Sequence, residues 1–290
     1  MFGYKKPEIF MIIDFHTHTF PDKIADAALS KLRAASHTLS FTNGTVSGLR
    51  ESMERAGIDL SVVLPVATNP LKVRSINDLS AALTEKDGLI YFGCVHPDME
   101  NAKEEVARIA ELGLKGIKIH PVYQGVDIDD IRFLRILDAA AEHDLIVVTH
   151  NGDDIGFPGV VHCTPQMARN ALKQVGDVKL VLAHMGGWKN WEHVADALFD
   201  TSAYLDTAFS LGSLVQSEPR HYSPEEEKLM SEDAFCKIVR AFGAHRILFG
   251  TDSPWSDQKR EVEAISELPL TETEKHNIFS ENARRLLGKY

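Results

Sequence analysis

The chain has 290 residues, 44% of them apolar, and 31 Lys and Arg stand against 42 Asp and Glu for a formal net charge of −11. That length holds one large domain or two small ones, and a barrel of alternating strands and helices takes about 250 residues. The acidic balance, with basic runs no longer than Lys5-Lys6 and Arg284-Arg285, argues against a binder of nucleic-acid backbones. No stretch approaches the ~20 apolar residues of a membrane-spanning helix.

Met1–Phe10 reads as a dispensable extension, with Met11 as an alternative start. The apolar run Phe10–Ile13 is too short for the core of a signal peptide. Three distant cysteines, Cys94, Cys163 and Cys236, form no disulfide framework, so a reducing cytoplasm is expected. From there strand-like runs alternate with helical periods. The strands are expected at Ile12–Phe15, Leu60–Leu64, Leu89–Val95, Gly116–Ile119, Leu145–Thr149, Val178–Ala183, Ala203–Asp206 and Arg246–Gly250. Helical spacing marks Val46–Ala56, Asn101–Leu112, Ile131–Glu142, Pro165–Val175 and, more loosely, Ser231–Phe242. Gly57, Gly113, Gly176 and Gly243 stand where helix C-caps belong. Strands alternating with helices imply a parallel sheet with right-handed crossovers. A closed (β/α)8 TIM barrel, one domain over residues 11–290, is the economical solution. A doubly wound open sheet is the alternative, and no Gly-rich nucleotide loop follows the first strand to favour it. The longest expected loop, Thr207–Pro224, is a lid, a dimer contact or a solvated insertion.

The residues that end these strands carry the chemistry. The first strand runs into Asp14-Phe15-His16-Thr17-His18, and a period of two puts both imidazoles on one side. Two neutral imidazoles so placed can grip one divalent metal. Alone, a His-x-His in a chain with 13 histidines is as readily chance. However, His120, His150 and His184 end the fourth, fifth and sixth strands, and Asp252 follows the eighth. Active sites of such barrels lie at the C-terminal ends of the strands. Taken singly, His150 or His184 is a satisfied core histidine; taken as a set they read as a metal site.

With the strand-six His184-Met185-Gly186-Gly187, the strand-eight Gly250-Thr251-Asp252-Ser253-Pro254 and a closing segment Ile278–Gly288, the chain resembles the amidohydrolase superfamily. More narrowly it resembles the amidohydrolase-2 branch of metal-dependent hydrolases and aminocarboxymuconate-semialdehyde-type decarboxylases. The resemblance implies that His16, His18, His150 and Asp252 hold one metal, Zn²⁺ first, with Mn²⁺ or another divalent ion as alternatives. His184 would contact the substrate or a metal-bound water, whose pKa a metal lowers toward ~7, and Asp252 would also carry the proton. Some superfamily members bridge two metals with a carboxylated lysine. Lys118 could do so, but a single-metal site is preferred. Otherwise Lys118 is an inward lysine paired with a carboxylate such as Asp14.

Weaker expectations concern the pocket. His120 is a substrate-binding residue or a core histidine. Trp188 walls the pocket or staples the next helix. Asn151 opens a Gly- and Pro-rich loop that shapes the site or merely crosses the surface. His96-Pro97 lines the mouth, and the neighbours His162 and Cys163 read as ordinary. The leading function is a metal-dependent hydrolase of a small amide, lactone or ester, favoured over a decarboxylase by the compact chain. The alternative is a non-oxidative decarboxylase of a small carboxylic acid with the same ligands. A scaffold on a barrel comes third, since a scaffold needs no histidines at ligand positions. The partner is a small molecule, and a homodimer stays open by analogy alone.

Overall fold

The computed structural model describes residues 11–288, so the expected extension at residues 1–10 lies outside them. The first half runs β1 (Ile13–Thr17), α1 (Asp22–Ser36), α2 (Val46–Ala56), β2 (Leu60–Val63), α3 (Val73–Leu83), β3 (Leu89–Tyr91), β4 (Gly93–Cys94) and α4 (Ala102–Glu111). Then come β5 (Gly116–Ile119), α5 (Pro121–Gln124), α6 (Ile131–Glu142), β6 (Ile146–Thr149), α7 (Pro165–Leu172), β7 (Lys179–Leu182) and α8 (Val194–Leu198). The last part is β8 (Tyr204–Asp206), α9 (Glu232–Phe242), β9 (Ile247–Leu248), α10 (Gln258–Glu267), α11 (Glu272–His276) and α12 (Asn282–Leu287).

Every strand pairing is parallel, in the orders β1-β2-β3 and β4-β5-β6-β7-β8-β9. β3 and β4 are the one expected strand, interrupted at Phe92, whose N–H still donates to the Val63 carbonyl at 3.0 Å. The ring closes where Phe15 N–H donates to the Phe249 carbonyl at 2.7 Å and Asp252 N–H to the His16 carbonyl at 2.8 Å. The result is the expected TIM barrel.

Alternate residues along the strands fall into two apolar clusters. Val62, Ile90, Val148, Val181 and Leu248 pack with Phe15 and Phe92 as the interior, and Leu286 and Leu287 of α12 join them. Their neighbours Val63, Tyr91, Val147, Leu182 and Ile247 pack outward against the helices. Each fully buried side chain of this size contributes about 1.5–3 kcal/mol, so the two-sided burial is what holds the ring closed. Asn282 Nδ2 donates to the carbonyls of Ala244 and Ile247, fixing α12 under the start of β9.

Helix boundaries follow their caps. Thr45, Asp130, Thr164 and Ser231 each accept a hydrogen bond from the first turn of α2, α6, α7 and α9. The left-handed Gly57 ends α2 as expected. α7 instead stops at Leu172 with Lys173 as its C-cap, so Gly176 lies beyond the helix. α1, α3 and α10 were not anticipated. The loop after β8 packs back on α1, where Leu39 N–H donates to the Val215 carbonyl and Ser217 N–H to the His37 carbonyl. It also brings Phe209 and Leu214 onto Trp188.

Candidate metal centre

The ends of β1, β6, β7, β8 and β9 converge on one buried cluster of imidazoles. β1 delivers His16 and His18 side by side, their Nε2 atoms 3.2 Å apart. The pairing register of β1 is irregular between Asp14 and Thr17. Asp14 there turns to the start of α10 and the loop after β9. Its Oδ1 accepts from the N–H groups of His16 (3.1 Å) and Thr251 (3.0 Å), and its Oδ2 from Thr251 Oγ1 (2.5 Å) and Gln258 Nε2 (2.7 Å). Asp14 therefore clasps the first strand to the segment carrying Asp252. It is not the partner of Lys118, which corrects that expectation. Gly250 permits the approach, because a Cβ there would sit 2.9 Å from His16 Cβ.

The second nitrogen of each ring decides what the first can do. His16 Nδ1 donates to Asp206 Oδ2 at 2.8 Å, His18 Nδ1 to the Leu64 carbonyl at 2.7 Å and His184 Nδ1 to the Ala208 carbonyl at 2.9 Å. His150 is turned the other way, its Nε2 donating to the Asp153 carbonyl at 3.0 Å. In a neutral imidazole the remaining nitrogen is a lone pair. Four lone pairs are thus left facing inward: Nε2 of His16, His18 and His184, and Nδ1 of His150. His184 Nε2 and His150 Nδ1 face each other at 3.0 Å, and Asp252 Oδ1 lies 3.0 Å from His18 Nε2 and 3.5 Å from His16 Nε2. So many acceptors packed together repel unless a cation sits among them. Ligating histidines characteristically donate their other N–H to a carbonyl or carboxylate, as all four do here. The donor set fits a divalent metal.

Burial keeps the rings neutral. It pulls His16, His150 and His184 below the usual imidazole value, the first two far below, with Lys118 adding to the effect. For Asp252 burial acts upward, but its close contacts with His18, His16 and His184 outweigh it and hold the carboxyl well below its ordinary range. Asp252 and His184 both take left-handed backbone, φ 63° and 60°. Such strain in non-glycine residues collects at functional sites.

The ligand atoms of His16, His18 and Asp252 lie within 4.8 Å of one another, whereas His150 groups with His120 and Asp154. The tether to Asp153 explains this, since it turns His150 Nδ1 toward His184. Lys118 is buried with Nζ 3.4 Å from His16 Nε2, and desolvation brings its pKa down to about 8. His120 differs from His16, His18 and His184. Its Nδ1 accepts from Tyr123 N–H at 3.4 Å, so Nε2 carries the proton and points at Asp154 Oδ2, 3.5 Å away.

Two expected pocket residues turn out to be used within the protein. Asn151 donates to the Gly186 carbonyl and accepts from the Cys163 thiol, which pins the end of β6 to the turn after β7. Trp188 gives its indole N–H to the Phe209 carbonyl at 3.0 Å and stacks on the Phe209 ring, forming apolar wall. Gly152 makes this join possible, because a Cβ there would meet Trp188 N at 2.2 Å. The sequence reading missed Asp206, whose Oδ1 also accepts His184 N–H at 2.9 Å and so anchors two of the histidines. Its place at the end of an expected strand was the available signal. It also missed Asp154, which is buried although it lies on a loop.

A model of the amidohydrolase family matches residues 13–289. No curated protein matches the chain. Among solved structures, an uncharacterised TIM-barrel protein from Bordetella bronchiseptica has a TM-score of 0.76 at 18% identity, covering 96% of this chain and 99% of that one. The 5-carboxyvanillate decarboxylase of Sphingomonas paucimobilis has a TM-score of 0.72 at 18% identity, covering 97% and 99%. A dihydroxybenzoic acid decarboxylase from Polaromonas sp. JS666, with bound manganese and the inhibitor 2-nitroresorcinol, has a TM-score of 0.69 at 16% identity, covering 97% of each chain. At these identities the likeness is one of fold. The two with named activities are decarboxylases of full matching length. This corrects the expectation of a hydrolase and removes its argument from chain length, since a compact chain of this fold does not speak against decarboxylation.

Proposed function

The chain belongs to the amidohydrolase family, and within it we propose a metal-dependent, non-oxidative decarboxylase, a carbon–carbon lyase acting on a small carboxylic acid. The observation that carries the metal half is the set of four inward-facing imidazole lone pairs beside an ionised Asp252. The named activities of full-length structures of the same fold support the lyase half. His16, His18, His150 and Asp252 would hold the metal, Zn²⁺ or the Mn²⁺ named in the Polaromonas structure. When bound, the metal supplies a positive charge that orients a carboxylate and stabilises negative charge on the substrate.

The reaction is balanced without water or oxidant: the bond to the carboxylate carbon breaks, CO₂ leaves, and a proton from solvent replaces it. Asp252 takes up that proton and delivers it to the carbon. His184, fixed by Asp206 and the Ala208 carbonyl, orients the reacting carboxylate. Lys118 is mostly charged at neutral pH, given its pKa of about 8, and offsets the negative charge of the substrate. The three cysteines are buried and free, which suits a cytoplasmic setting. The test is CO₂ release from a panel of small aromatic and aliphatic carboxylic acids. Metal-replete protein should release one CO₂ per acid consumed, lose that activity with a chelator and regain it with Mn²⁺ or Zn²⁺. Release of an amine or alcohol from amides or esters without CO₂ from any acid would overturn the proposal.

A further inference from the structure

A second group of metal-ligating side chains lies away from the barrel centre, where the loop after β8 packs on the end of α1. His37, Glu218 and His221 bring one ligand atom each to within 4.8 Å of one another. The backbone builds this corner. His37 caps α1 in left-handed conformation, φ 51°, and its carbonyl accepts Ser217 N–H at 2.8 Å. His221 N–H donates to the Glu218 carbonyl at 3.4 Å, a turn that sets both side chains beside His37. Tyr222 Oη donates to the Ser36 carbonyl at 2.6 Å and ties the turn to the helix end. His37 Nδ1 is buried here and has no hydrogen-bond partner among the described residues. Glu218 Oε1, at 3.9 Å, is too far to serve. Buried polar atoms are nearly always partnered, and this one is a nitrogen able to ligate a metal, aimed into a group of two further ligands.

We propose that His37, Glu218 and His221 form a site for a zinc ion, separate from the cluster at the strand ends, that clamps the loop after β8 to α1. Two imidazoles and one carboxylate make a zinc set with a fourth position open to water. The nitrogen donors select against Mg²⁺ and Ca²⁺. Zinc holds its donors about 3.3 Å apart, given bonds of about 2.0 Å, so the exposed Glu218 has only a short way to move from 3.9 Å. The rings of His37 and His221 stack, with centroids 3.5 Å apart and planes at 14°. An ion lies in the plane of each imidazole that binds it, and stacked rings share no such point. Binding therefore turns the exposed His221 out of the stack, while His37 stays as the cap of α1. The clamp bears on the barrel centre through what the loop holds at its near end. The Ala208 carbonyl accepts from His184 Nδ1 and the Phe209 carbonyl from Trp188 Nε1. The site itself is independent of the reaction carried out at the strand ends.

The test counts metal, so it does not depend on turnover. The full chain is dialysed against micromolar Zn²⁺ with Mg²⁺ in excess, and zinc per chain is measured by elemental analysis. His221→Ala, shown by circular dichroism to be folded, should carry one zinc fewer than the wild type. The same loss should appear in a His16→Ala background, where the strand-end site is already disabled. His37→Asn, whose side chain tolerates left-handed backbone, should repeat it. A zinc count that His221→Ala leaves unchanged overturns the site. Trypsin reads the clamp, because Arg220 is exposed and lies between Glu218 and His221. Zinc at about ten times its dissociation constant should slow cleavage after Arg220 about tenfold in the wild type. It should not do so in His221→Ala, in which the strand-end ligands are intact. Equal cleavage of the wild type with and without zinc overturns the clamp.

Discussion

The seam between β1 and β9 and the rim above β5 and β6 treat hydrogen bonds in opposite ways. At the seam Asp14 and the outer nitrogens of the two histidines are fully engaged. Asp14 accepts four donors, and His16 and His18 are each locked by a bond of 2.8 Å or less. Strand geometry and buried carboxylates and carbonyls fix these rings in place. At the rim, His120 and Asp154 stand 3.5 Å apart on a helix N-cap and a loop, beyond a good hydrogen bond. The difference teaches a division of labour. A metal needs lone pairs aimed at one point, which demands rigid elements on the outer side of each ring. A substrate needs groups that are positioned yet incompletely paired, so that binding completes them.

The comparison breaks most visibly if the seam is cut. His16→Ala or His18→Ala should lower metal affinity by about 100-fold or more and abolish turnover in step, with the barrel still folded. Elemental analysis beside circular dichroism checks this, and a variant with full metal content would show that the seam is not the holder. Asp252→Asn keeps an oxygen in place but cannot take a proton at neutral pH. We expect partial metal retention with kcat reduced about 10³-fold, measured by CO₂ release. Substantial residual turnover would leave Asp252 a ligand only. His184 lies between the two regions. His184→Asn should cost about 10²-fold in kcat with metal content near wild type. Metal lost in proportion to rate would instead move His184 to the holding side.

The smallest effect sharpens the rim. Burial holds His120 neutral, well below the ordinary histidine value of 6.5. Below pH 6.5 the unfolded chain binds a proton at this residue and the folded chain does not, so acidification destabilises the wild type. His120→Gln removes that term. The stability of the variant relative to wild type should therefore improve by up to about 1.4 kcal/mol per pH unit between pH 6.5 and 5.5. Urea unfolding of chelator-treated protein reads the shift. An unchanged difference would mean that His120 titrates alike in the folded and unfolded chains, and a difference that moves the other way would mean that it is protonated in the fold and ion-paired with Asp154.

Much of this was legible in advance. The parallel barrel followed from apolar strands alternating with helical periods, because burial on two faces gives a strand its continuous apolar signature. His16, His18, His150, His184 and Asp252 were legible because strand ends in such a barrel must face one site. α1 and α3 were missed because their buried faces are narrow, with Ala25, Leu29 and Ser36 in one and Val73, Asn77 and Ser80 in the other. The joins made by Asn151 and Trp188 could not be read from spacing because each meets its partner across a loop, Gly186 and Cys163 for one and Phe209 for the other.

By itself the sequence determined the repeating units, the side of each strand that carries chemistry and the residue types able to bind a metal. These are local matters of spacing and side-chain type. The tertiary structure decided which nitrogen of each histidine faces inward, because that depends on carbonyls and carboxylates from other strands: Leu64 for His18, Asp206 for His16, Ala208 for His184. It also decided that His120 is the opposite tautomer, with a proton aimed at a loop carboxylate. A hydrogen-bond partner 22 to 190 residues away leaves no mark in local periodicity. Only the closing of the barrel sets which ring nitrogens face the shared centre and which one faces the loop carboxylate.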